Sequence, residues 1–100
     1  MKAVDLSARA RADIEDLAQY TLIEWGERQQ RLYLDRLFSA LVDLQRWPGM
    51  AALKDDWRPG LRSFPVGRHV IYFVEHPQRL RIVRVLHGRM DAKKALKGGA

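Results

Sequence analysis

One hundred residues, 47% of them apolar, make one domain (residues 1–100) and exclude both a disordered chain and a second core. The absence of cysteine excludes disulfides, thiolate chemistry and cysteine-bound metal together, and it fits a reducing, cytoplasmic setting. The formal charge of +6 is uneven: residues 1–50 carry seven Lys/Arg against eight Asp/Glu and residues 51–100 carry eleven against four, which predicts a surface made to meet an acidic partner.

Met1 to Leu6 reads as a short strand broken by Lys2 and Asp5, so no signal peptide is expected there. Ser7 offers an N-cap hydroxyl to a first helix, in which Ala10, Ile14, Leu17, Ala18, Thr21 and Trp25 recur at three- and four-residue steps. Gly26 ends that helix. A second helix runs from about Glu27 to Arg46, with Leu34, Leu37, Phe38, Leu41, Val42 and Leu44 as its stripe, until Pro48-Gly49 stops it. The one-residue break predicts an antiparallel helical hairpin.

Residues 50–60 read as a loop, after which the period changes to two. Leu61 to Pro65, Arg68 to Glu75 and Arg79 to His87 are three strands joined by Val66-Gly67 and by His76-Pro77-Gln78. The longest apolar run, Val70 to Val74, is too short to span a bilayer. In the basic tail Asp91 is placed to cap a short helix through Leu96, before Gly98-Gly99 releases the chain. The expected fold class is α+β with the order β-α-α-β-β-β. A helical hairpin packs on one face of a small antiparallel sheet, and the first strand lies alongside the last.

Candidate chemistry is sparse. His69, His76 and His87 share no metal-ligand spacing, no Gly-rich phosphate loop precedes a helix, and no serine sits in a nucleophile motif, so neither metal nor cofactor is expected. Strict alternation on the last strand puts Leu80, Ile82, Arg84 and Leu86 on the core face and Arg81 and His87 on the open one. Arg84 then reads as a cation paired with a carboxylate. Arg62 and Arg68 extend the open-face basic patch. That patch admits a metal-free ribonuclease, with His87 as the acid–base group and Arg62, Arg81 and Arg84 as phosphate clamps. Trp57 reads either as a base-stacking residue or as a pin holding its loop to the core. Tyr20, Trp25, Tyr33 and Trp47 exceed what a single stripe needs and suggest a groove for another protein. A free-standing DNA-binding module is the weakest reading, because no helix carries clustered Arg, Asn and Gln.

Read in order, Leu6-Ser7, Ala10, Asp13-Ile14, Tyr20, Trp25-Gly26, Tyr33, Leu37, Leu44 and Pro48-Gly49 resemble the amino-terminal half of the ParE toxins. Arg58-Pro59-Gly60-Leu61-Arg62-Ser63, Gly67-Arg68-His69-Val70-Ile71-Tyr72-Phe73 and Ile82-Val83-Arg84-Val85-Leu86-His87-Gly88-Arg89-Met90-Asp91 are similar to the rest of that family's pattern. The resemblance implies the toxin of a type II toxin–antitoxin pair that inhibits DNA gyrase without catalysis. Its partner would be a ParD-like antitoxin, forming a hetero-oligomer that meets DNA only through the antitoxin or gyrase. The implied target-binding residues are Arg62, Arg68, Arg81, His87, Arg89, Met90, Asp91, Lys93 and Lys94, and the implied antitoxin-binding residues are Tyr20, Trp25, Tyr33, Trp47 and Trp57. The alternative is a ribosome-dependent mRNA endoribonuclease of the RelE branch. Against it, this chain lacks a tail tyrosine and a lysine-rich second helix.

Overall fold

Ser7 shows how the chain turns from strand into helix. Its Oγ accepts the Ala10 N–H at 2.9 Å, capping the helix that follows, and donates to the Val83 carbonyl at 2.7 Å, tying that cap to the sheet. The structure, a computed structural model, describes residues 2–96. Met1, Lys97 and the Gly98-Gly99 release point fall outside them.

Strand β1 (Ala3–Leu6) leads into α1 (Ala8–Trp25) and α2 (Glu27–Arg46), which are joined by Gly26 alone. Gly26 adopts φ +88°, a conformation that costs a residue with a Cβ about 1 kcal/mol or more, and this permits the one-residue reversal. A 3-10 turn (Pro48–Met50) precedes β2 (Ala52–Leu53), β3 (Leu61–Val66), β4 (His69–Glu75), β5 (Arg79–His87) and α3 (Ala92–Leu96). The sheet order is β1-β5-β4-β3-β2. β1 lies beside β5 as expected, and it runs parallel to it while the other pairs are antiparallel. The two-residue β2 lies inside the segment expected to be loop; a bridge this short has no periodicity to detect.

The helical hairpin covers one face of the sheet. Leu17, Leu37, Leu41 and Leu44 pack there against Val66, Ile71, Phe73, Leu80, Ile82 and Val85. Trp25, Phe38 and Val42, which spacing alone puts in the helical stripes, remain largely exposed. The other face is not open. Leu61, Tyr72, Val83 and Leu86 are buried beneath Ala92 and Leu96 of α3, with Trp57 beside them.

A β-bulge corrects the predicted faces of β5. Phe73 pairs with Ile82 but Tyr72 pairs with Arg84, so Val83 is the extra residue. Alternation changes phase there: Leu80, Ile82 and Val85 face the hairpin, while Val83 and Leu86 face α3. Strict alternation had grouped Val85 with Arg81 and Leu86 with Leu80.

Candidate functional site

Beyond Ile82, β5 has no backbone neighbour from β1, whose last paired residue is Leu6. Side chains of the first helix take over. The Asp13 carboxylate accepts the Val85 N–H at 2.9 Å where a strand carbonyl would otherwise stand. The same carboxylate binds Arg84 on two atoms, at 2.8 Å from Nε and 2.9 Å from Nη2. This fork-to-fork pair is mostly shielded, with side chains 16% and 14% exposed. Its hydrogen bonds hold Arg84 still more firmly protonated, against the opposing effect of burial.

The hairpin and the β4–β5 end thus enclose an open cleft of about 1110 Å³. Its apolar wall includes Leu17, Tyr20, Trp25 and Met90; its polar side includes Arg68, His69, Arg84 and His87. The bulge puts the two histidines opposite each other, with ring centroids 5.4 Å apart. His87 Nδ1 accepts the Arg89 N–H at 3.1 Å, so while that bond is made the ring's proton is on Nε2. His69 Nδ1 meets the Tyr33 hydroxyl at 2.7 Å. Burial holds His69 below its ordinary value of 6.5; His87 and Arg68 push the same way and Asp13 opposes them.

Tyr33 organises the turn at the cleft's edge. Its hydroxyl accepts the Arg68 N–H at 3.0 Å and lies 3.1 Å from the Val66 carbonyl. With one proton, it donates to Val66 or to His69 according to the imidazole tautomer. Arg68 lies over the Trp25 indole, 5.6 Å from the ring centroid, a cation–π arrangement.

Of the four residues expected to form one open-face basic patch, Arg68 and His87 share the cleft, while Arg62 and Arg81 lie elsewhere. Arg62 pairs with Phe73 on the hairpin-facing side, and its Nη1 donates to the Ala51 carbonyl at 2.9 Å. Arg81 pairs with Val74, on the α3 side, and binds Asp5 at 2.8 Å. His87 lies on the hairpin side with His69, and Arg68 is in the exposed turn between β3 and β4. Of the proposed clamps, Arg84 alone shares the cleft with His87. The aromatics divide too. Tyr20, Trp25 and Tyr33 line the cleft, while exposed Trp47 borders a separate depression with Lys2 and Pro77. Trp57 stacks on Tyr72, 6.1 Å between centroids, and pins its loop to the α3-side core.

From Met90 at the cleft's edge outward, Arg89, Asp91, Lys93 and Lys94 are exposed on a ledge anchored by buried Ala92 and Leu96. Asp91 caps α3 by accepting the Lys94 N–H at 3.1 Å. Sequence reasoning missed His69 and Asp13 as members of the cleft. Among the described residues no cluster of three or more His, Asp or Glu is arranged to hold a metal. No helix there is long and apolar enough to cross a membrane.

Over residues 4–92 the sequence matches the family described as "ParE toxin of type II toxin-antitoxin system, parDE". It is 34% identical over 96 residues to Toxin ParE1 of Caulobacter vibrioides, covering 96% of this chain and 99% of that protein. Toxin ParE1 of Mycobacterium tuberculosis is 34% identical, with 91% and 94% covered. Toxin ParE of Escherichia coli is 30% identical, with 91% and 89% covered. Among solved structures, a chain of the "Chromosomal ParDE TA system from P. aeruginosa" superposes with a TM-score of 0.74 at 16% identity, over 87% of this chain and 96% of that one. At that identity the likeness supports the fold.

Proposed function

Because the chain belongs to the ParE toxins of type II toxin–antitoxin systems, we propose that it arrests growth in the bacterial cytoplasm by inhibiting DNA gyrase and blocking replication, and that a ParD-like antitoxin neutralises it. The toxin acts by binding, and it meets DNA only through gyrase or through the antitoxin. The observation that carries this reading is the disposition of its cations. Arg62, Arg81 and Arg84 each serve a carbonyl or a carboxylate of this chain, on three different parts of the sheet. A phosphoryl-transfer site needs its clamps converging on one phosphate beside the acid–base group. The exposed ledge of Arg89, Lys93 and Lys94 instead suits contact with a large acidic surface.

The test is a supercoiling assay with purified gyrase. The toxin is expected to abolish supercoiling and accumulate cleaved DNA, and the antitoxin is expected to restore activity. Unchanged supercoiling at saturating toxin counts decisively against the reading. The ribonuclease alternative predicts mRNA cuts on translating ribosomes that His87→Ala abolishes. The His69–His87 pair within one cleft is the observation in its favour.

A further inference from the structure

We propose that the cleft between the helical hairpin and the β4–β5 end is a receptor for one carboxylate side chain flanked by apolar residues, carried on an extended segment of the antitoxin. This rests on the antitoxin reading above and assigns it a chemistry and a place.

Two features point to an anion. The Arg68 guanidinium lies over an indole face, and among the described residues no carboxylate forms a salt bridge with it. His87 has its Nδ1 occupied by a backbone N–H, which leaves Nε2–H as a donor. Both residues line the same cleft.

Two further features choose a peptide over a nucleic acid strand. Asp16 of α1 also lines the cleft and repels a chain carrying a charge at every unit, while Asp13 and Arg84 balance each other. What remains suits one negative charge. Leu17, Val85 and Met90 give the lining apolar area beside the neutral polar Thr21 and Gln29, and Tyr20 and Trp25 stand 58% and 56% exposed at its margin. Large aromatics at a concave margin provide area for aliphatic or aromatic side chains on either side of the carboxylate.

A bound carboxylate also acts on His69. The titratable and charged groups that line the cleft with His69 are Asp13 and Asp16 from α1, Tyr33 from α2, Arg68 from the turn, and Arg84 and His87 from β5. Of these, Arg68 and His87 disfavour its proton and Asp13 favours it. An added negative charge nearby favours the proton, so binding raises the titration midpoint of His69.

The experiment uses the intact chain, histidine NMR resonances and acetyl-Leu-Glu-Trp-amide as the probe. The expected result is saturable shifts of His69 and His87, and a His69 midpoint raised by about half a unit or more on binding. Replacing the probe's glutamate by glutamine, or Arg68 by glutamine (Arg68→Gln), is expected to weaken binding about tenfold. Equal binding of the glutamine probe overturns the proposal, as does tighter binding of a 5′-phosphorylated oligothymidylate at the same histidines. A second arm adds the intact antitoxin encoded beside the toxin gene. Neutralisation with both cleft histidines unmoved overturns this site and leaves the functional reading standing. No binding of the antitoxin at all overturns both.

Discussion

Asp13 replaces a missing piece of backbone. Where β1 ends, its carboxylate accepts the Val85 N–H and holds Arg84 by two atoms, so one side chain satisfies three donors at a shielded sheet edge. Removing one member of a shielded ion pair leaves the other charge uncompensated, which typically costs 3–5 kcal/mol when fully buried. Asp13→Asn keeps an amide oxygen for Val85, and the pair retains some solvent contact, so a loss of about 3 kcal/mol is expected in urea denaturation. Arg84→Met should be similarly costly. The double variant should lose less than both combined, by about 1–3 kcal/mol, because the partners form one unit. Full additivity would show that the pair is not coupled.

At the scale of elements, the β3–β4 turn is shaped by a residue of α2. Gly67 has φ +57°, and a Cβ there would lie 2.7 Å from the Tyr33 ring. Gly67→Ala therefore meets two penalties: about 1 kcal/mol for the left-handed backbone, and a clash that displaces the Tyr33 hydroxyl from Arg68 and Val66. In a Tyr33→Ala background the second penalty disappears, so thermal melting should show Gly67→Ala to be distinctly milder there. Equal loss in both backgrounds would mean that the backbone alone sets the cost. These elements also divide what was legible in the sequence from what was not. Both helices, the reversal at Gly26, strands β3 to β5 and the Asp91-capped α3 follow from local periodicity and turn chemistry. The His69–His87 pair does not. The hairpin register at Glu75–Leu80, continued without interruption, sets His69 opposite Leu86; one extra residue at Val83 moves it opposite His87. A bulge inside a β-branched run leaves no composition signal, and every face assignment beyond it is inverted. Arg84 read as a cation in need of a carboxylate, but which carboxylate depends on where α1 crosses the sheet edge.

For the whole molecule, the decisive feature is that the sheet has two covered faces. Truncation after Gly88 is the simplest way to remove the basic tail and test its share in target inhibition. In the structure that truncation also strips Ala92 and Leu96 from the core against Leu61, Tyr72, Val83 and Leu86, so it confounds loss of contact with loss of fold. The charge and the anchor must be separated by substitution. Leu96 is 3% exposed, and Leu96→Ala should cost about 2–3 kcal/mol, within the range for buried leucines at a site that partly relaxes. Lys93 and Lys94 are exposed, and reversing both to glutamate should change stability by only about 0.5 kcal/mol. If the ledge meets an acidic target, that reversal should weaken gyrase inhibition sharply, most visibly at low ionic strength, while leaving antitoxin binding in the cleft within about twofold. Loss of both activities in a folded charge-reversed variant would mean that one surface serves both partners. Loss of antitoxin binding alone would exchange the assigned roles of ledge and cleft.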